Sequence, residues 1–441
     1  MVILMKRKIY NELLKWKNND YNVKPLMVLG ARQAGKTYVI DEFCKKEYAN
    51  YVYINLFEND KILDLYNSDL NSDEKFMRLK LYLNTDLEQD NTILFIDEIQ
   101  QSEKIVSELK YFCEKHNKMR IICAGSLLGV KLKRSMLSFP VGKVKMIHLY
   151  PMDFEEFLMA MDEEMLIDMI KNCYINNKAM GDLIHEKALN LYKAYLITGG
   201  MPESVQSMVN AKLDYIKYDT SILSDILNAY VQDMNKYVKN ESETLKISRI
   251  YHSLPSQLAN NSRKFQFSLI DKNAKSRDYK SPLDWLEASN LVLRCACVKN
   301  PEIPLGGFVD EDTYKLYLSD VGILNNLIKL KPEDILSDNM SLYKGIIAEN
   351  YVANQLVAIG HDLYYWKNNN DGEVDFLLYT SNGIIPLEVK AGDSTQSKSL
   401  KVYNEKYHPK YLIRISTKDF GYDPKTKIKS IPLYAVFCLK N

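Results

Sequence analysis

Two groups of residues carry the side chains that phosphate chemistry needs. The first is Gly30-Ala31-Arg32-Gln33-Ala34-Gly35-Lys36-Thr37. It follows a short apolar run, residues 26–29, and precedes residues 38–43, which can open an amphipathic helix. A strand feeding a glycine turn and then a helix aims several backbone N–H groups and the positive helix end at one point, where a polyphosphate can sit. There Lys36 would reach the β and γ phosphates, and the Thr37 hydroxyl would hold Mg²⁺. Further along, Thr92-Ile93-Leu94-Phe95-Ile96-Asp97-Glu98 is an apolar strand ending in two acids. Asp97 suits the Mg²⁺ shell, and Glu98 is placed to orient or deprotonate an attacking water. Ser126 ends the next apolar run and reads either as a reporter on the γ phosphate or the water, or as a plain turn serine.

The second group is Asp375, Glu388 and Lys390. Asp375 and Glu388 each lie in a strand-like apolar run. Neighbouring strands of a hairpin can bring both carboxylates to one Mg²⁺, with Lys390 on the same face as Glu388. Such a metal polarises a phosphodiester and, with the lysine, helps make a water nucleophilic. The opposing readings are an inactive relic of such a site, or an ordinary sheet with exposed charges.

The elements that must position these groups are legible as well. Strands alternate with helices from residue 26 to 150, which predicts a doubly wound α/β domain with a parallel sheet, preceded by a helix over residues 6–22. A polar helical stretch spans 59–90 and a further helix 102–116. Residues 158–245 read as helical, with Met and Leu at core spacing; Gly199-Gly200 before Pro202 is a sharp bend, either a hinge or a structural turn. From 247 to 298 the pattern suggests a winged helix-turn-helix, with Ile250, Leu254 and Leu258 on one helix face and a strand at 291–294. Arg263, Lys264, Lys272, Lys275, Arg277 and Lys280 form a basic stretch within it, either a DNA-contacting surface or a solvated loop.

Gly30–Thr37, the strand ending in Asp97-Glu98, Ala124-Gly125-Ser126, the Leu149-Tyr150-Pro151-Met152-Asp153-Phe154-Glu155-Glu156-Phe157 segment and Thr198-Gly199-Gly200-Met201-Pro202-Glu203 together resemble a prokaryotic AAA-type P-loop ATPase family with a C-terminal domain of unknown function. The family usually places Gly-Arg before the proline-containing segment, where this chain has Gly142-Lys143. An ammonium lacks the planar fork that grips two phosphate oxygens at once; Arg134 or Arg120 are the candidate substitutes. The Asp375…Glu388-x-Lys390 set resembles the signature of the restriction-endonuclease-like fold, with Glu349 matching the acid on its first helix.

Composition sets the remaining bounds. At 441 residues the chain is expected to divide into several domains: an ATP-binding domain over 1–157, a helical region over 158–245, a winged-helix-like region over 246–335 and a nuclease-like α/β domain over 336–441. The net charge of +1 means that any DNA surface is a local patch. Seven cysteines without a Cys-x-x-Cys pair fit reduced thiols and a cytoplasmic setting. No apolar run is long enough to cross a bilayer, so no membrane partner is expected. The expected ligands are ATP and Mg²⁺, coupled either to DNA binding or processing, or to a protein partner or second copy through a C-terminal domain that only binds.

Overall fold

The computed structural model describes residues 5–19, 23–126, 140, 142–237, 240–260, 263–340, 342–368, 372–393 and 397–440. The chain divides into two compact units, one of Lys6–Tyr150 with Ala288–Asn290, the other of Met1–Met5, Pro151–Glu287 and Leu291–Asn441. Arg134 lies outside the described residues.

The first unit is built on β1 (Leu26–Leu29), β2 (Asn50–Asn55), β3 (Thr92–Asp97), β4 (Arg120–Ala124) and β5 (Lys145–His148). They form one parallel sheet in the order β2-β3-β4-β1-β5. Alternation of side chains assigns each strand residue to one face. Along β3, Ile93 and Phe95 join Trp16, Val39, Ile40 and Phe43 from α1 (Ile9–Lys17) and α2 (Lys36–Glu47). Leu94 and Ile96 join Ile62, Phe76, Leu109 and Phe112 on the opposite face, from α3 (Asp60–Asn67), α4 (Ser72–Leu83) and α5 (Glu103–Lys115). Burial on both faces is why β3 reads as a continuous apolar run. The polar stretch over 59–90 holds two helices: Asn71 and Glu74 form a capping box that starts α4 afresh.

The second unit opens with helices α6 (Phe154–Ala160), α7 (Glu164–Asn176), α8 (Asp182–Thr198), α9 (Pro202–Ala211), α10 (Ser221–Tyr237), α11 (Glu241–Ala259) and α12 (Ser276–Ala288). The bend at Gly199-Gly200 is a packed turn. Met152 N–H donates to the Gly200 carbonyl at 2.6 Å, and Gly200 N–H donates to the buried Asp320 carboxylate at 2.7 Å. Gly199 has φ +64, and a Cβ there would stand 2.2 Å from Asp320 Oδ1.

An eight-stranded mixed sheet follows, in the order β12-β13-β11-β10-β9-β8-β6-β7. Its strands are β6 (Val292–Val298), β7 (Val309–Leu318), β8 (Tyr364–Asn368), β9 (Gly372–Thr380), β10 (Gly383–Val389), β11 (Leu412–Ser416), β12 (Gly421–Asp423) and β13 (Ile428–Pro432). Here the structure departs from the expected winged-helix region over 246–335. The hairpin that follows α12 does not stand apart: β6 pairs in parallel with β8, so the wing-like strands are the edge of the C-terminal sheet. Alternating patterns mark residues as strands, but they do not say which sheet receives them. Between β7 and β8 lie α13 (Val321–Leu327), α14 (Pro332–Leu336) and α15 (Tyr343–Ala358); α16 (Lys398–Tyr407) lies between β10 and β11.

Candidate functional site

β1 is an interior strand between β4 and β5, and the Gly30–Thr37 loop opens at its carboxyl end, where a doubly wound sheet places its ligand. Gly30 is needed there: a Cβ would meet the Leu149 carbonyl oxygen at 2.1 Å, and Leu149 N–H donates to the Leu29 carbonyl at 2.8 Å. Gln33 (φ 63) and Gly35 (φ 91) are left-handed, a backbone alternation that gathers N–H groups into an anion-binding concavity. Lys36 is the first residue of α2 and is buried; its ammonium donates to the Gly30 and Ala31 carbonyls at 2.9 and 2.7 Å. Ala31, Arg32 and Ala34 complete the loop.

Thr37 Oγ1 donates to Asp97 Oδ2 at 2.8 Å, with Tyr53 O–H reaching the same oxygen at 3.3 Å. Glu98 stands in the left-handed region at φ 52, uncommon for a residue with a side chain. Its carboxylate accepts a hydrogen bond from the Gln100 amide. Burial, and then the Asp97 charge, push the Glu98 carboxyl above its ordinary pKa. Ser126 follows the end of β4 by two residues, at the carboxyl edge of the sheet.

Arg7 was not singled out in the sequence. It is buried; Nη1 donates to the Ala34 carbonyl at 2.8 Å and Nη2 to the Tyr150 carbonyl at 2.7 Å. One guanidinium therefore ties the Gly30–Thr37 loop to Tyr150, just beyond β5. Gln100 and Tyr53 were likewise missed, because neither belongs to the motif letters. The proposed arginine substitutes fare differently. Lys143 forms a half-exposed ion pair with Glu114 at 2.9 Å. Arg120 opens β4 at the amino edge of the sheet, the end opposite the loop, which argues against it as a phosphate ligand.

In the second unit the hairpin expected of β9 and β10 is present, with Leu387 paired to Phe376; the next step of that register sets Glu388 opposite Asp375. Both are buried. Asp375 Oδ2 accepts Val389 N–H at 2.8 Å, and Lys390 Nζ lies 2.7 Å from Glu388 Oε1. Glu388 Oε2 is buried and has no hydrogen-bond partner among the described residues. Glu349, on α15, reaches the same group through Arg263: the guanidinium pairs with Glu349 Oε2 and stands 3.8 Å from Asp375 Oδ1. Glu349 Oε1 also accepts from Lys315 Nζ at 3.0 Å and from Tyr317 O–H at 2.5 Å. Lys315 is fully buried and also pairs with Glu373 at 2.7 Å. Burial pushes the Glu373 carboxyl up, but Lys315 and Lys367 hold it below its ordinary pKa.

Asp375 and Glu388 are hard oxygen donors of the kind Mg²⁺ takes with water and a phosphate oxygen, and the unmatched Glu388 Oε2 fits such a cation. Among the described residues, no three His, Cys, Asp or Glu side chains gather as a metal-ligand group. The basic stretch also divides. Lys272, Lys275, Arg277 and Lys280 are exposed, whereas Arg263 turns to the carboxylates and Lys264 donates to Thr313 Oγ1 at 3.0 Å. None of the seven cysteines, all among the described residues, forms a disulfide. No helix among the described residues is long and apolar enough to cross a membrane.

Residues 22–158 match the AAA domain family, residues 189–334 a domain of unknown function (DUF8612) and residues 344–435 another (DUF4143). The eight-stranded sheet takes β6 and β7 from the first of these two unknown domains and its other strands from the second. The uncharacterized protein MJ1544 of Methanocaldococcus jannaschii is 22% identical over 96% of this chain and 87% of its own length. Among solved structures, the Walker-type ATPase paby2304 of Pyrococcus abyssi covers 74% of this chain and 96% of its own, at 15% identity and a TM-score of 0.42. The ORC2 protein of Aeropyrum pernix covers 76% and 92%, at 12% identity and a TM-score of 0.34. The Gly30–Thr37 loop and the strand ending in Asp97 both lie within the stretch that matches the AAA domain.

Proposed function

We propose that the chain hydrolyses ATP to ADP and phosphate at the Gly30–Thr37 loop. The observation that carries this reading is the Thr37–Asp97 hydrogen bond, which joins a hydroxyl and a carboxylate at one point beside Glu98. These oxygens suit Mg²⁺, which would neutralise charge on the β and γ phosphates. The loop N–H groups and Lys36 hold the polyphosphate, with Lys36 exchanging its loop carbonyls for phosphate oxygens. Glu98 takes the proton of the attacking water, and Gln100 fixes the carboxylate that receives it. The place of Ser126 at the same sheet edge supports a role for its hydroxyl at the γ phosphate or the water. The test is phosphate release by the wild type and Glu98→Gln, with nucleotide affinity measured for both. Binding without turnover in the variant is the expected result.

For the second unit we propose that Asp375 and Glu388 hold a divalent cation and, with Lys390, act on a phosphodiester of DNA. The orphaned Glu388 oxygen supports this reading. The Arg263 contact favours another: a nucleotide-switched module in which ATP state governs docking of a protein partner or a second copy, and the second unit does not cut. Nicking of plasmid DNA with Mg²⁺ or Mn²⁺, compared with Asp375→Ala, separates the two. The free thiols fit a cytoplasmic setting for either.

A further inference from the structure

The carboxylates of the second unit already have a cation beside them. Arg263 is brought there by the segment between α11 and α12, from outside the sheet that carries Asp375 and Glu388. Its guanidinium pairs with Glu349 and stands 3.8 Å from Asp375 Oδ1, and its side chain remains about one-third exposed. Lys315 is held differently. It is fully buried and satisfied by both Glu349 and Glu373, so it is part of the packed interior. Lys390 is occupied by Glu388 Oε1. Arg263 is thus the one of these three cations with a route to solvent and a contact to Asp375.

A divalent cation bound by Asp375 and the free oxygen of Glu388 would share Asp375 with that guanidinium. Positive charges a few ångströms apart repel, and burial strengthens the effect. We propose that Arg263 and a divalent cation exclude one another at Asp375, so that the second unit takes up metal only when Arg263 withdraws. This rests on the reading of Asp375 and Glu388 as a cation site, and it adds the control of that site. Glu349 keeps Lys315 and Tyr317 when Arg263 leaves, so the helix that carries it does not have to move.

The test is Mn²⁺ binding to the full chain, followed by the paramagnetic resonance signal of free Mn²⁺. All variants carry Asp97→Asn, which weakens the metal position at the phosphate loop. Adding Arg263→Ala is expected to tighten Mn²⁺ binding about tenfold or more, and adding Asp375→Asn as well is expected to abolish the gain. Equal affinity with and without Arg263 overturns the exclusion while leaving the cation site in place. No binding in either, up to millimolar Mn²⁺, overturns the cation site itself and the exclusion with it. If Arg263→Ala does not fold, Arg263→Gln, which keeps the stem and a hydrogen-bond donor but not the charge, decides by the same comparison.

Discussion

Thr37 Oγ1 and Asp97 Oδ2 lie 2.8 Å apart although sixty residues separate them in the chain. The hydroxyl begins a helix and the carboxylate ends a strand, so only the sheet order brings them together. Thr37→Val removes one oxygen from the expected Mg²⁺ shell while keeping the shape of the side chain. The Mg²⁺ concentration for half-maximal turnover is expected to rise about tenfold or more, measured by phosphate release across a Mg²⁺ titration.

Lys36→Ala is expected to abolish ATP binding, because it removes the charge that meets the β and γ phosphates. Glu98→Gln should bind ATP as the wild type does and turn it over at least about a hundredfold more slowly. Equilibrium binding of a fluorescent ATP analogue and single-turnover phosphate release measure the two effects separately. Unchanged turnover in Glu98→Gln would remove that residue from the reaction.

Turnover should also fall in acid earlier than an ordinary glutamate predicts. Glu98 accepts a proton only when ionised, and burial with the neighbouring Asp97 raises its pKa above 4.5. As pH drops through that raised value the base is lost, so the acidic limb of kcat is expected to have a midpoint above 4.5. A midpoint at or below the ordinary value would show that another group sets the limb.

Gly199→Ala tests the packed turn. The new methyl group would face Asp320 at a φ that disfavours it, and a loss of about 2–4 kcal/mol is expected from chemical denaturation. A hinge serving only motion would tolerate the change in stability and alter turnover instead.

Lys315→Met tests the buried ion network. Glu349 and Glu373 would lose a shared, fully buried partner, and removing one member of such a network costs about 3–5 kcal/mol. A loss below about 1 kcal/mol would mean that the network is worth no more than an exposed pair.

For the exposed basic residues, DNA affinity is expected to fall with salt by counterion release. Changing Lys272, Lys275 and Arg277 together to Ala should flatten the slope by about three units or fewer. Equal slopes for wild type and variant would leave the stretch as a solvated surface.

The phosphate loop was legible because its chemistry depends on neighbouring letters: Gly30, Gly35, Lys36 and Thr37 must be contiguous to fold one turn. The β9–β10 hairpin was legible for a similar reason, since period-two runs set Asp375 near Glu388. Arg7 and Lys315 were not recognised as site residues, and Arg263 was read only as one of the basic stretch, not as a partner of Glu349 and Asp375. Each comes from a segment without a motif, and its partner lies in another element; a lone basic residue gives no local sign of the carbonyl or carboxylate it will meet. The winged-helix expectation diverged for a related reason, since β6 and β7 look like any hairpin until β8 adds itself alongside.

That pairing of β6 with β8 governs the order in which the chain can mature. The parallel sheet of the first unit is complete once residue 148 has been synthesised, and that sheet with its helices can form while the rest of the chain is still being made. β6 and β7 emerge after the seven helices over 154–288, and one side of β6 has unmatched backbone groups until residues 364–368 follow. The intervening helices must close a long loop before the sheet is whole, a slow step for non-local pairing. Translation halted between β7 and β8 would therefore release a chain with a bare strand edge, the kind of surface on which two copies join incorrectly.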